Sequence, residues 1–96
     1  MAIVHDWGEK DPDEIIEVGI DMAAALPDGA TLQAVAWAFL VGAGLQKAAE
    51  RVDGTVARCR LMQGTPGTTG RLLLTATLSD GQILNEVAKI KIKERV

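Results

Sequence analysis

The sequence predicts an all-β domain, a β-sandwich of six or seven antiparallel strands. Apolar and polar residues alternate with a period of two in several segments, and turn-forming residues separate these segments at short intervals. Strands do not alternate with long helical patterns, as they would in a parallel sheet. The 96 residues are enough for one domain with a modest core. We expect that domain over residues 13–96, after an N-terminal arm over residues 1–12.

The first predicted strand spans residues 14–22, where apolar β-branched residues alternate with polar ones. The β-branched residues and the interior Gly19 favour a strand over a helix. A helix stays open as the alternative, because Asp11, followed by proline and by Glu14 three residues later, has the sequence of a helix N-cap.

Residues 31–41 form the most apolar segment, and large side chains alternate there with alanine. The large side chains that would share one strand face are Val35, Trp37, Phe39 and Val41. This alternation predicts a central strand with one face in the core, while the alanines leave a helix as the alternative. Residues 45–52 fit either a helical turn or an irregular strand. Residues 55–62 alternate again and predict a strand, and the glycine-rich residues 64–70 predict a loop.

The last third contains two alternating segments joined by a turn at Ser79–Gln82. A two-residue turn would place Lys89 opposite Leu72 on the buried face. A three-residue loop with Gly81 in the left-handed conformation pairs Leu72 with Ala88 instead. We therefore predict a hairpin with the longer loop and a bulge.

Composition argues against several classes of function. The formal net charge is −3, which gives no electrostatic reason to expect nucleic acid or an anionic membrane as a partner. The chain has one histidine, His5, and one cysteine, Cys59, so any nucleophile–histidine pair would depend on a residue near the N-terminus. We expect no enzyme activity, no metal and no cofactor, and Cys59 is interpreted as a small inward residue.

An ordered set of motifs resembles a known family. The motifs are Lys10-Asp11-Pro12-Asp13-Glu14, Gly19-Ile20-Asp21, Leu26-Pro27-Asp28-Gly29-Ala30-Thr31, Trp37 and Gly64-Thr65-Pro66-Gly67-Thr68-Thr69, followed by a long hairpin with a basic last strand. Over residues 10–95 they resemble small tailed-phage virion proteins known as fiber-tail adaptor proteins. The resemblance implies an immunoglobulin-like fold and a structural role in the tail or its fibers. It also implies other virion or tail proteins as partners, a homo-oligomer as an option, and a place in the virion after synthesis in the host cytoplasm.

The candidate partner contacts come from three features of the sequence. Trp7 is an aromatic residue in the expected arm, the glycine-rich loop would lie at one end of the sandwich, and the last strand carries a row of lysines. The candidate residues are Trp7, Asp11, Gly64, Pro66, Gly67, Lys89, Lys91 and Lys93. For the lysines, a solvated face that discourages edge pairing is the simpler interpretation.

Two other functions stay open at this point. One is a generic adhesive or ligand-binding β-sandwich module, which would need exposed aromatic residues. The other is a small α+β regulatory domain, which would need residues 31–50 to be helical.

Overall fold

The alternating segments fold into strands of two sheets in the computed structural model, which describes residues 4–94. The strands are β1 (Val4–Lys10), β2 (Ile16–Asp21), β3 (Leu32–Val41), β4 (Leu45–Asp53), β5 (Val56–Gln63), β6 (Thr69–Leu78) and β7 (Ile83–Ile92), and a 3-10 helix spans Ala23–Ala25. One sheet has the order β1-β7-β6-β3 and the other the order β2-β5-β4. The prediction of an all-β fold is confirmed, and the α+β alternative is wrong for the described residues.

The two sheets share one hydrophobic core, because the inward residues of both belong to a single buried cluster. The members of this cluster are Val18, Ile20, Met22, Leu32, Trp37, Leu45, Ala57, Cys59, Leu61, Leu72, Leu74, Ala76, Leu78, Ala88, Ile90 and Ile92. Along β6, every second residue from Leu72 to Leu78 is fully buried, which is the period-2 pattern that the sequence predicted.

Both segments for which a helix was an alternative are strands. Residues Ile16–Asp21 pair with β5, and Leu32–Val41 pair with β6. The uncertain residues 45–52 belong to β4, which pairs with β5 but is interrupted by a bulge where Ala49 has a positive φ of 54°. In that short segment, long-range pairing prevails over the helix propensity of alanine.

The final hairpin has the predicted register. Leu72 lies opposite Ala88, and the backbone N–H of Leu78 donates to the carbonyl of Gln82 (2.8 Å). Gly81 has a φ of 91°, so the three-residue loop with a left-handed glycine is confirmed. The alternating hydrophobic pattern therefore determined the register of β6 and β7.

The N-terminal residues differ from the expected arm. Val4–Lys10 forms β1, which pairs in parallel with β7 at the edge of the four-stranded sheet, while residues 1–3 lie outside the described part. The expectation of purely antiparallel strands is therefore also wrong. The register shifts between Asp6 and Glu9, around Gly8 with a φ of 82°, and this bulge conceals the alternating pattern in the sequence.

Side chains cover backbone groups at two of the sheet edges. At the edge of β3, the backbone N–H of Trp37 donates to Glu50 Oε1 (2.8 Å), while Glu50 Oε2 accepts from Lys47 Nζ (2.9 Å). At the edge of β2, the carbonyl of Gly19 accepts from the indole N–H of Trp7 (3.2 Å). Such bonds remove free backbone groups that could pair with strands of another chain.

The only helix among residues 4–94 is the short turn at Ala23–Ala25, and none of the described helices has the length and hydropathy needed to cross a membrane.

A glycine pair tests the hairpin loop. Gly81→Ala is expected to lower the free energy of unfolding by about 1 kcal/mol, because an L-residue is strained at positive φ. Gly42→Ala is the control, since its φ is not positive and an added Cβ meets no atom within 4 Å at either position. Urea denaturation measures both variants. Equal stability of the two would contradict the left-handed loop.

A second variant tests the cover on the β3 edge. Glu50→Ala frees the backbone N–H of Trp37, so we expect the free energy of unfolding to fall by about 1 kcal/mol and self-association to become faster. The control is Glu94→Ala, which also removes one carboxylate. Chemical denaturation and light scattering measure the two effects. Identical behaviour of both variants would show that Glu50 does not protect this edge.

The contribution of Glu50 to the free energy of unfolding should depend on pH. Burial alone would raise the pKa of Glu50, but the hydrogen bonds from Lys47 and from the Trp37 N–H outweigh it and lower this pKa. The stabilisation by ionised Glu50 is therefore fully present at pH values above the ordinary pKa of glutamate. It is lost as the pH falls through the lowered pKa of Glu50. We expect the stability difference between wild type and Glu50→Ala to shrink over that acidic range.

Candidate interaction surface

Two of the sequence motifs meet at one end of the molecule. The N-terminal ends of β2, β4 and β6 lie there beside the C-terminal ends of β1, β3, β5 and β7. The register shows this in the pairs Ile16–Leu61, Leu45–Gln63 and Lys10–Ile92. We call the segments at this end, residues 11–15, 42–44, 64–68 and 93–94, the loop end. The motif that begins at Lys10 and the glycine-rich loop both belong to it.

The side chain of Lys10 is fully buried at the loop end. Its ammonium donates to the backbone carbonyls of Gln63 (2.6 Å), Asp11 (2.9 Å) and Pro12 (3.5 Å). Lys10 belongs to the four-stranded sheet and Gln63 to the three-stranded sheet, so this side chain joins the two sheets. Burial lowers the pKa of Lys10, and the carboxylates of Glu14, Asp11 and Asp13 act in the opposite direction.

The helix N-cap signature of the sequence forms a turn instead of a helix. The backbone N–H of Asp11 donates to Glu14 Oε1 (2.7 Å), and the N–H of Glu14 donates to the carbonyl of Asp11 (3.0 Å). The N–H of Asp13 donates to Asp11 Oδ1 (2.9 Å). Asp11 was a candidate contact, but its side chain is almost fully buried and holds this turn together.

The glycine-rich loop is fixed by its neighbours. A Cβ on Gly64, at a φ of 122°, would lie 2.9 Å from Ile92 Cδ1, so only glycine lets the chain pass this close to β7. The N–H of Thr65 donates to the carbonyl of Ala43 (2.7 Å), and that of Gly67 to the carbonyl of Ile92 (2.9 Å). Of the three candidate contacts here, Gly64 is half-buried, whereas Pro66 and Gly67 are exposed.

Three exposed apolar side chains lie at or beside the loop end. Ile15 follows the Asp11–Glu14 turn and is 65% exposed, and Leu40 and Val41 end β3 at 54% and 47% exposure. The sequence pattern did not single out Ile15 or Leu40, and it placed Val41 on the core face of its strand, which the exposure of Val41 corrects. The bulge between Phe39 and Val41, where the register of β3 shifts, is what exposes the pair on β3.

Trp7 lies away from the loop end and folds back onto the core. Its ring centroid is 5.6 Å from that of Trp37, and it is half-buried. Trp37 is buried, and Phe39 is half-buried below Lys47, whose Nζ lies 6.0 Å from the ring centroid. The aromatic residues thus pack inward, and the exposed aromatic surface that an adhesive module would need is not formed by the described residues.

The lysine row lies on the outward side of β7. Lys89 Nζ is 3.9 Å from Asp6 Oδ2, and Lys93 Nζ is 3.9 Å from Glu9 Oε2. Lys91 is exposed opposite Thr69, at the start of β6. These exposed pairs contribute little to stability.

The residues considered for chemistry do not assemble into a reactive group. Cys59 is completely buried, and burial raises the pKa of its thiol to about 12. The thiol is therefore not ionised near neutral pH, as a nucleophile would need to be. His5 lies on β1, the edge strand of the four-stranded sheet, and its Nε2 is 3.6 Å from Glu86 Oε2. Among residues 4–94, histidine, cysteine, aspartate and glutamate form no group of three that could hold a metal ion.

The sequence of residues 10–91 matches the family described as podophage GP4 fiber-tail adaptor protein gp77. The matched region begins at Lys10 and includes β2 to β6 and most of β7. It therefore contains both motifs of the loop end. A comparison with curated proteins found no match.

Replacing Lys10 tests how the loop end is held. Lys10→Met keeps the length of the side chain but leaves buried carbonyls without a donor, so we expect a loss of about 2 kcal/mol in the free energy of unfolding. Lys91→Met is the control on an exposed lysine and should stay within about 0.5 kcal/mol of wild type. Urea denaturation measures both, and a Lys10→Met variant as stable as the control would contradict this role.

The lowered pKa of Lys10 adds a second, independent readout. Between that lowered pKa and the ordinary lysine value of 10.5, the unfolded chain binds more protons than the folded chain, so stability rises with pH through this window. Wild type should therefore gain stability relative to Lys10→Met as the pH rises there. A stability difference that does not change with pH would show that Lys10 has an unshifted pKa.

Proposed function

We propose a structural, non-enzymatic function for this chain, which belongs to the podophage GP4 fiber-tail adaptor family. In this proposal the chain is an adaptor that joins components of the phage tail and its fibers through protein–protein contacts. It is made in the cytoplasm of the host and becomes part of the virion. The observation that carries the proposal is the family match over residues 10–91.

We further propose that the fold is immunoglobulin-like. In that fold the strands B, E and D lie in one sheet and C, F and G in the other, with a buried tryptophan on strand C. The orders β2-β5-β4 and β3-β6-β7 correspond to these two sets, and Trp37 lies buried on β3. We treat β1 as part of the same single domain, since it pairs with β7.

The loop end is the contact surface in this proposal. Loops on a rigid scaffold are the usual place for recognition, and this end combines exposed Ile15 and Pro66 with a backbone fixed by Lys10. A surface that is already rigid loses little conformational entropy when a partner binds. The partners are other tail or fiber proteins, with further copies of the chain as an option, and the net charge of −3 supports neither nucleic acid nor membrane binding.

Complementation of the phage tests the proposal. In a phage that lacks the gene for this chain, we expect filled heads with tails that carry no fibers, and wild-type chain supplied from a plasmid should restore infectious particles. Electron microscopy and plaque counts provide the readouts. Complete, infectious particles in the absence of the chain would overturn the adaptor function.

A matched pair of variants then tests the loop end. Ile15→Asp with Pro66→Asp alters exposed residues at the loop end, and Ala24→Asp with Pro27→Asp alters exposed residues at the opposite end. Circular dichroism should show that both double variants are folded. We expect only the loop-end variant to lower plaque counts, by about tenfold or more. Equal complementation by both would remove the loop end from the contact surface.

A further inference from the structure

The outer faces of the two sheets differ in chemistry. The outer face of the three-stranded sheet is charged, and most of its charges are paired with one another. Arg51 forms an ion pair with Glu17, and Arg58 Nε lies 2.9 Å from Asp53 Oδ2. Arg60 forms no ion pair among residues 4–94 but lies opposite Glu17, so this face places a carboxylate beside each of its arginines.

The outer face of the four-stranded sheet is mostly uncharged. Its outward rows are set by the register, in which Ala36 lies opposite Thr75, and Leu73 lies between Ala38 and Val87. We call this surface the apolar face; its central members are Val4, Ala34, Ala36, Ala38, Leu73, Thr75, Thr77, Ile83, Asn85 and Val87. Among the described residues, four of the five exposed large apolar side chains belong to this sheet, namely Val4, Leu40, Val41 and Ile83, and the fifth is Ile15.

A basic row crosses the apolar face at the side nearest the loop end. Arg71 on β6 lies opposite Lys89 on β7, with exposed Val41 on its other side, and Lys91 follows two residues later. Like charges directly opposite each other are unfavourable. Within residues 4–94, Asp6 lies 3.9 Å from Lys89, whereas Arg71 and Lys91 form no ion pair. Among the described residues Lys91 lies opposite Glu9 of β1, so Arg71 is the cation of this row that has a lysine, and no carboxylate, opposite it.

We propose that the apolar face and its basic row bind a protein surface that presents small apolar groups beside a group of carboxylates. This inference rests on the proposed adaptor function and specifies the chemistry of the partner. The carboxylates would pair with Arg71 and relieve the repulsion between Arg71 and Lys89. The exposed Leu40 and Val41 beside Arg71 would supply apolar contact next to these charge pairs.

The size of the face is adequate for such a contact. Four strands about 4.8 Å apart and a ten-residue strand with a rise of about 3.3 Å per residue give roughly 600 Å² on this side. Two such surfaces reach the lower limit of about 1,200 Å² for a specific interface. The contact is therefore of the size that suits a modest, reversible affinity.

A second copy of the chain fits this face less well than a different, acidic partner. A twofold axis along the strands would bring the basic row onto the basic row of the other copy. A twofold axis across the strands would bring it onto the opposite end of the face, where Arg71 meets the uncharged residues around Thr77 and Ile83, and Asp80 lies beyond them in the hairpin loop. Neither arrangement gives Arg71 a carboxylate, so the charges favour another protein.

The experiment uses the full chain and, as probes, the purified tail and fiber proteins encoded by the same phage. Binding of each probe is measured by biolayer interferometry at low and high salt. The test variants are Arg71→Glu and Ala36→Asp on the apolar face. Their controls are Arg60→Glu and Ala48→Asp, which make the same changes at exposed positions on the outer face of the three-stranded sheet.

We expect one of the probes to bind wild-type chain, more weakly at high salt, and both test variants to lose about tenfold or more in affinity while both controls change less than about twofold. Restoration of Arg71→Glu binding by an Asp→Lys or Glu→Lys change in the partner would support the charge pairing directly. Thermal denaturation confirms that all four variants are folded.

The contrary outcomes separate the two proposals. If none of the tail and fiber proteins binds wild-type chain, the adaptor function itself is overturned. If a probe binds and the test variants behave like their controls, the adaptor function stands and the assignment of this face is wrong. A wild-type dimer in analytical ultracentrifugation that both test variants dissociate would overturn the acidic partner in favour of a second copy. Binding of a short DNA duplex that Arg71→Glu abolishes would overturn a protein partner.

Discussion

The buried ammonium of Lys10 is the interaction on which one whole end of the molecule depends. It connects β1 to the end of β5, which lies in the other sheet, and at the same time holds the turn that begins at Asp11. A lysine is seldom fully buried, since removing its charge from water is costly unless backbone carbonyls replace the water. Here the carbonyls do so, and the loop around Gly64 can pack against Ile92 beside a fixed framework.

On the rest of the surface, polar side chains cover sheet edges and one outer sheet face. Glu50 and Trp7 cover backbone groups at two sheet edges, and ion pairs occupy the outer face of the three-stranded sheet. These features disfavour strand addition and unspecific association. Among the described residues, the loop end and the outer face of the four-stranded sheet are then the parts with exposed large apolar side chains, in a chain that belongs to the podophage GP4 fiber-tail adaptor family.

The fold was more accessible to sequence reasoning than the candidate surface. The strands and the hairpin register were predictable because alternation places every second residue of β6 in the core, and a shift by one residue would bury Lys89. The loop predicted over residues 64–70 is a loop over residues 64–68, whereas Thr69 and Gly70 already pair with β7 as the start of β6. However, of the candidate contacts Trp7 is half-buried against the core and Asp11 is buried, because burial depends on neighbours that are distant in the sequence.

The sequence by itself determined the class of fold, the turn positions and the pairing of β6 with β7, since these follow from a local period and from the backbone preferences of glycine. Only the tertiary structure decided that Val4–Lys10 is a strand, that it runs parallel to β7, and that Lys10 is buried. The physical reason is the same in each case. Pairing between the two ends of the chain and the solvation of a charge by Gln63, 53 residues away, leave no periodic signal in the residues themselves.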